Sequence, residues 1–428
     1  MPDFGIMRGF SDKLFSEKLV AGQLPTSIGN TNPSNKFIFS VDTRYLYTGS
    51  TTRNQFKLPL VSSTAINITV EWGDGLSNNI TVWNAATTTH TYTTPGVYII
   101  QISGTLRGFQ FNGGGDRLKV INLFNYGCLE INTIGTFNGC GRMTQTAIDA
   151  PLITTTSLQS TFLNCNQFNG NVGNWNVTNV TSFQQMFSGA SIFNNAGVDS
   201  IKNWNVSNAT TLNGMFTNSS FNQPIGNWNT SKVTELSSMF NGSTFNQDIS
   251  KWNTSNVTAM NSMFIGNNAF NQPIGSWNVG QVTNFTSMFQ SSKFNQDISK
   301  WNMSSATNIT NMFRGNTNFN QPIGSWDTSK ITSLDNIFFG ATSFDQNIGS
   351  WTITLATTGG GIMLGKDPSN FVPDNLDAIY IGWSAQAVKP NLSINFGSIK
   401  YTASGVAARA ILTSAPNNWT ITDGGLAL

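Results

Sequence analysis

From about residue 130 to 352 the large apolar side chains recur at a spacing longer than any helix or strand period. Tryptophan falls at Trp175, Trp204, Trp228, Trp252, Trp277, Trp301, Trp326 and Trp351, in steps of 29, 24, 24, 25, 24, 25 and 25 residues. A second marker, usually the Phe of a Met-Phe pair, keeps the same beat at Phe137, Phe162, Phe187, Phe216, Phe240, Phe264, Phe289, Phe313 and Phe338. A 24–25-residue period held this long is the signature of a solenoid of stacked repeats.

Within one repeat the pattern changes. Val257, Met260, Met263 and Phe264 fall at i, i+3, i+6 and i+7, which predicts one face of a short helix. Thr254 and Ser255 stand where an N-cap belongs. "FNQDISKW" (245–252) has no helical stripe and reads as a short extended segment. One such unit cannot bury its apolar face alone, whereas stacking sets equivalent segments side by side as a parallel sheet. With coils roughly 4.8 Å apart, nine of them span on the order of 45 Å.

Stacking also turns equivalent residues into columns. Phe221, Phe245, Phe270, Phe294, Phe319 and Phe344 should line the core. Asn222, Asn246, Asn271, Asn295 and Asn320 should form an amide ladder closed by Asp345. The repeat tryptophans Trp228, Trp252, Trp277, Trp301 and Trp326 serve packing or ligand contact, with packing the default for a fixed repeat position. Cys140 and Cys165 follow Phe137 and Phe162 by three residues each, so they are neighbours in one column, with buried reduced thiols expected over a disulfide.

The flanks differ in texture. Residues 36–108 alternate apolar and polar, with Gly-Asp-Gly and Pro-Gly turns, and predict a small β-sandwich. Residues 353–428 break the period; "PDNLDAIYIGW" and "SGVAARAIL" read as helices and "NNWTITDGG" as a closing strand. The fold class is therefore mixed and β-rich: an N-terminal arm (1–35), the sandwich (36–108), a repeat solenoid with a parallel sheet and short helices (109–352), and an α/β cap (353–428). A cap is needed because a terminal coil exposes core and an unpaired edge.

Composition narrows the chemistry. Only 10% of residues are charged and the net charge is +2, with no basic run, so nucleic-acid binding has no electrostatic footprint. One histidine and three cysteines make no metal spacing. His90 reads as the structural start of a strand. Asp74 of "WGDG" could meet a cation, but a Gly-Asp-Gly turn needs those residues for backbone reasons alone. Triplets such as those at Asn176 and Asn253 arise by chance in an Asn/Thr-rich chain. No Gly-Lys-Ser/Thr loop and no nucleophile–base pair can be assembled, so neither an enzyme nor a cofactor is expected. No window reaches the roughly 18 apolar residues of a membrane span, so no membrane insertion is expected.

The unit "MFxxxxxFNQDISxWNTSNVTxMxxMF" resembles the BspA-type leucine-rich repeat, over about 130–352. "WGDG" (72–75) with "HTYTTPGVY" (90–98) resembles the polycystic-kidney-disease-type (PKD) immunoglobulin-like module. These resemblances imply surface-displayed proteins that adhere to glycans, proteins or cells. The opening "MPDFGIMRGFSDKLFSEKLV" lacks a signal-peptide pattern, which favours a phage virion surface protein, a fibre, spike or decoration, over a bacterial cell-surface adhesin. In that reading Phe4, Ile6, Met7, Phe10, Leu14, Phe15 and Leu19 anchor the arm to a capsid or tail protein, and a homo-oligomer is expected.

Two spellings alternate along the repeats, Pro-Ile-Gly after Phe221, Phe270 and Phe319 and Asp-Ile-Ser after Phe245 and Phe294. Duplication of a 49-residue pair, with Pro set beside Asp to avoid stacked like charges, accounts for them.

Overall fold

The computed structural model describes residues 35–62, 66–366 and 368–427. Contacts divide the chain into Met1–Asn35 and Lys36–Leu428. The proposed anchor residues of the arm lie outside the described residues.

Alternating residues build the first part: β1 (Phe37–Asp42), β2 (Gln55–Lys57), β3 (Asn67–Glu71), β4 (Ser77–Ile80), β5 (Thr89–Thr91) and β6 (Val97–Thr105). β7 (Val120–Asn125), β8 (Glu130–Ile131), β9 (Thr144–Gln145) and β10 (Leu152–Ile153) follow. One six-stranded sheet runs β4-β3-β6-β1-β7-β9, and β2 pairs with β5. β1 lies antiparallel to β6, with Phe39 opposite Ile100. Its inward rings pack on the second layer, Phe37 at 5.2 Å from Phe109 and Phe39 at 5.9 Å from Phe56. The sheet takes β7 and β9 from beyond residue 108, and their parallel pairing begins the repeat-on-repeat pattern.

Lys119 has no exposed surface, yet its Nζ is fully engaged. It donates to the carbonyls of Thr51, Thr52 and Gln55 at 3.1, 2.9 and 2.7 Å and lies 3.3 Å from Asp116. Asp116 in turn accepts the Thr51 and Lys57 N–H groups. A buried charge persists only when paired and hydrogen-bonded, and here the pair pins the 51–57 segment.

In the repeats the segment expected to be helical is the backbone ladder instead. Single parallel bridges link Ser157, Ser182, Thr211, Glu235, Ala259, Asn284 and Asn308 from coil to coil. Met260, Ser262, Phe264 and Gly266 donate their N–H groups to Asn284, Thr286, Met288 and Gln290 of the next coil. Between them Met263, Ile265 and Asn267 donate three residues back, closing consecutive β-turns. Ser262 and Gly266 sit at φ 61° and 63°, the left-handed region that ends any α-helix. Thr254 is accordingly no N-cap; its Oγ1 donates to the Asn278 carbonyl one coil on, at 2.9 Å.

The segment 245–252, expected to be the strand, carries no strand pairing. Its coils are joined by side chains. Its Phe rings still stack, Phe221 to Phe245, Phe245 to Phe270 and Phe270 to Phe294 at 6.2 Å each. Each ring also lies against the Met-Phe ring of its own wall, as Phe240 does against Phe245 at 4.0 Å.

The glycine of the Pro-Ile-Gly spelling has a steric cause. A Cβ on Gly226, Gly275 or Gly324 would stand 2.3, 2.4 or 2.7 Å from the carbonyl oxygen of Asp248, Asp297 or Asn347 in the next coil. Two of the 25-residue coils, 245–270 and 294–319, carry a buried asparagine. Asn267 donates to Ser243 and the Phe245 carbonyl and accepts from Ala269 and Phe270; Asn316 repeats this set with Ser292, Phe294, Asn318 and Phe319.

The C-terminal part holds helices α1 (Pro373–Ser384) and α2 (Val406–Thr413) and the parallel strands β11 (Ser393–Asn395) and β12 (Thr420–Thr422). Asp345, last of the Asn column, meets α1 by accepting the Val372 N–H at 3.0 Å. The bridge Gly359–Ile394 continues the coil-to-coil pairing into this part.

Phe270→Ala is expected to cost about 3–5 kcal/mol, through lost burial and a cavity between Phe245 and Phe294. Denaturant unfolding of the two proteins checks it, and an unchanged midpoint would remove Phe270 from the core.

Candidate ligand-display surface of the repeats

The tryptophan column is spent on packing. Trp228, Trp252, Trp277, Trp301 and Trp326 are each 3% exposed. Each indole N–H donates to the isoleucine carbonyl of the preceding coil, as Trp252 does to Ile225 at 3.0 Å and Trp277 to Ile249 at 3.1 Å. A ring so buried and bonded has no face for a ligand, which removes the ligand-contact role. Trp175, the first of the series, has no such acceptor and its Nε1 is unpaired.

The asparagines stack in one column, joined by side chain to backbone. Each Oδ1 accepts the backbone N–H of its counterpart in the next coil: Asn222 from Asn246 at 2.9 Å, Asn246 from Asn271 at 3.1 Å, Asn271 from Asn295 at 2.9 Å and Asn295 from Asn320 at 2.9 Å. Asn320 accepts from Asp345 at 2.8 Å. The column extends backwards through Asn194 and Asn169 by the same bond. Gln247, Gln272, Gln321 and Gln346 add an Nε2 donor to the Asn Oδ1 of the coil before. A backbone N–H needs a partner when it leaves the ladder, and this carboxamide oxygen supplies it.

A threonine column forms a second exposed line. The Oγ1 of Thr234, Thr258, Thr283 and Thr307 each donates to the threonine carbonyl of the coil before, at 3.1–3.4 Å. A third line follows the tryptophans: Asn229, Asn253 and Asn302 each accept the N–H two residues on.

Among the described residues no group of three or more His, Cys, Asp or Glu side chains could hold a metal, and no helix is long and apolar enough to cross a membrane. Cys140 and Cys165 are buried free thiols, and burial pushes both up from the ordinary thiol range. His90 Nε2 donates to the Asp74 carboxylate at 2.8 Å, and the ring stacks on Trp72 at 4.8 Å and meets Tyr92 edge-on. Asp74 also accepts the Leu76 N–H at 3.1 Å, so it serves the turn and the histidine.

The buried amides Asn267 and Asn316 and the ion pair Asp116–Lys119 were not singled out from the sequence. The first had a signal, since the extra residue of the 25-residue coils falls beside each asparagine. The second had none, because a lysine three residues from an aspartate usually marks a solvated face.

Burial works to raise the Asp74 carboxyl. The His90 hydrogen bond, the Leu76 N–H and the nearby His90 charge outweigh burial and hold the carboxyl below its ordinary 3.8. A depressed carboxyl contributes stability above its unfolded pKa and loses it as pH falls through the folded value. Asp74→Asn should therefore flatten the loss of stability below pH ~4. Melting curves between neutral and acid pH check this; an unchanged acid slope would contradict it.

A family model described as "Mycoplasma protein of unknown function, DUF285" matches residues 134–244, 195–293, 217–313 and 290–366, more than half of the chain in all. No curated protein and no solved structure matches the chain.

Proposed function

The chain belongs to the DUF285 repeat family, which is related to BspA-like surface repeats, and from that premise we propose that it is a non-enzymatic surface-display protein. Residues 109–352 are a leucine-rich-repeat-type solenoid and 36–108 a PKD-like module. The chain is carried on a virion through residues 1–35 as a homo-oligomer, and it adheres to glycans or proteins of a host or environmental surface.

One observation carries this reading: the repeats divide their residues by side. Phenylalanine, methionine and tryptophan are spent inside, while the outside presents lines of Asn, Gln and Thr, one residue per coil. Such a surface adheres by adding weak, identical contacts along its length. The family's description as a Mycoplasma protein favours a second reading, an adhesin of a bacterial cell surface.

Quantitative mass spectrometry of purified particles and of fractionated host cells separates the two. Copies at constant stoichiometry in particles, lost when residues 1–35 are deleted from a chain that still folds, are expected. Copies confined to the cell envelope would favour the adhesin, and copies confined to the cytosol would overturn both.

A further inference from the structure

The asparagine column has a property that its structural task leaves over. Because each Oδ1 is turned toward a backbone N–H of the next coil, the amide orientation is set and Nδ2 is left behind. The Nδ2 groups of Asn169, Asn194, Asn222, Asn246, Asn271, Asn295 and Asn320 make no bond within the described residues and are not buried. The glutamines are the mirror case. Gln247, Gln272, Gln321 and Gln346 spend Nε2 on the preceding coil, and their Oε1 accepts nothing. Most coils therefore offer one free donor and one free acceptor along one line.

We propose that this Asn–Gln line is a binding track for a neutral, extended, β-1,4-linked polysaccharide, one sugar per coil; the proposal rests on the adhesive reading above. A hydroxyl both donates and accepts, so a donor beside an acceptor matches sugar hydroxyls. A polyanion would use the donors only. It would also meet Asp248 and Asp297, whose carboxyls stay ionised because their Ser250 and Ser299 hydrogen bonds lower them. The alternation fits as well. Asp248 and Asp297 alternate with Pro224, Pro273 and Pro322 on every second coil. An extended β-1,4 chain turns alternate rings over, so it too repeats on every second sugar. At the end of the line an open hollow of about 610 Å³, lined by Asn320, Ser343, Asp345, Asn370, Phe371 and Pro373, has room for a chain end.

The chain itself shows how to remove the donors and keep the fold. Asp345 holds the column's bond with a carboxylate oxygen, and Asp327 does the same in the line after the tryptophans. Asn222→Asp with Asn271→Asp deletes two Nδ2 donors two coils apart. Asn229→Asp with Asn278→Asp makes the same charge change on the other line. Full-length protein is tested for retention on microcrystalline cellulose and colloidal chitin, with heparin and polygalacturonate as polyanions and cello-oligosaccharides as competitors. Retention on a neutral polymer is expected, with a hexamer competing better than a dimer. The first variant should bind about tenfold more weakly and the second within about twofold, at unchanged melting temperatures. Equal losses in both variants, competition independent of oligomer length, or binding to polyanions alone would overturn the track. If the wild type ignores these polymers yet still binds host cells, the track alone falls. If it binds no cell either, the adhesive reading falls with it.

Discussion

The structure depends on a backbone that gives every second N–H of one wall to the following coil. From Met260 to Gly266 these groups all run forward, and the carbonyls of Ala259, Asn261, Met263 and Ile265 all accept from the coil before. Such a wall requires alternate residues to turn back on themselves, which is why left-handed Ser238, Ser262, Ser287, Asn311 and Asn336 recur at one position. A second left-handed position is held mostly by glycine, as at Gly242, Gly266, Gly315 and Gly340. With the wall in place, equal residues lie one above another, and every other feature is a column.

The rest of the coil is tied by side chains doing the work of backbone. Indole N–H groups reach the isoleucine carbonyls, threonine hydroxyls reach neighbouring carbonyls, and Asn Oδ1 atoms receive the N–H groups that the turn-rich path leaves unpaired. These bonds explain why so weakly charged a chain holds so many polar residues in fixed places. They also leave donors and acceptors over on the outside, because each carboxamide has two ends and the stack needs only one.

The period, the phenylalanine column and the paired 49-residue unit were legible in the sequence, since repetition reports stacking whatever the local conformation. The local conformation was not. Apolar residues at i, i+3, i+6 and i+7 suit a helix, yet a chain of β-turns returns its side chains inward at nearly the same intervals. Only the left-handed Ser262 separates the two, and a serine does not announce a positive φ. The tryptophan line could not be assigned to packing or binding either, because the isoleucine carbonyl that receives each indole belongs to another coil. Gly226 and Gly275 looked like spelling variants for the same reason; the carbonyl they accommodate lies 22 residues further on.

Single-residue amide hydrogen exchange on the intact chain tests the forward-running wall most directly. Met260, Ser262, Phe264 and Gly266, with their counterparts in the coils on either side, should exchange as slowly as the buried strand β1. Fast exchange at these positions, of the kind an isolated turn or short surface helix shows, would contradict the account.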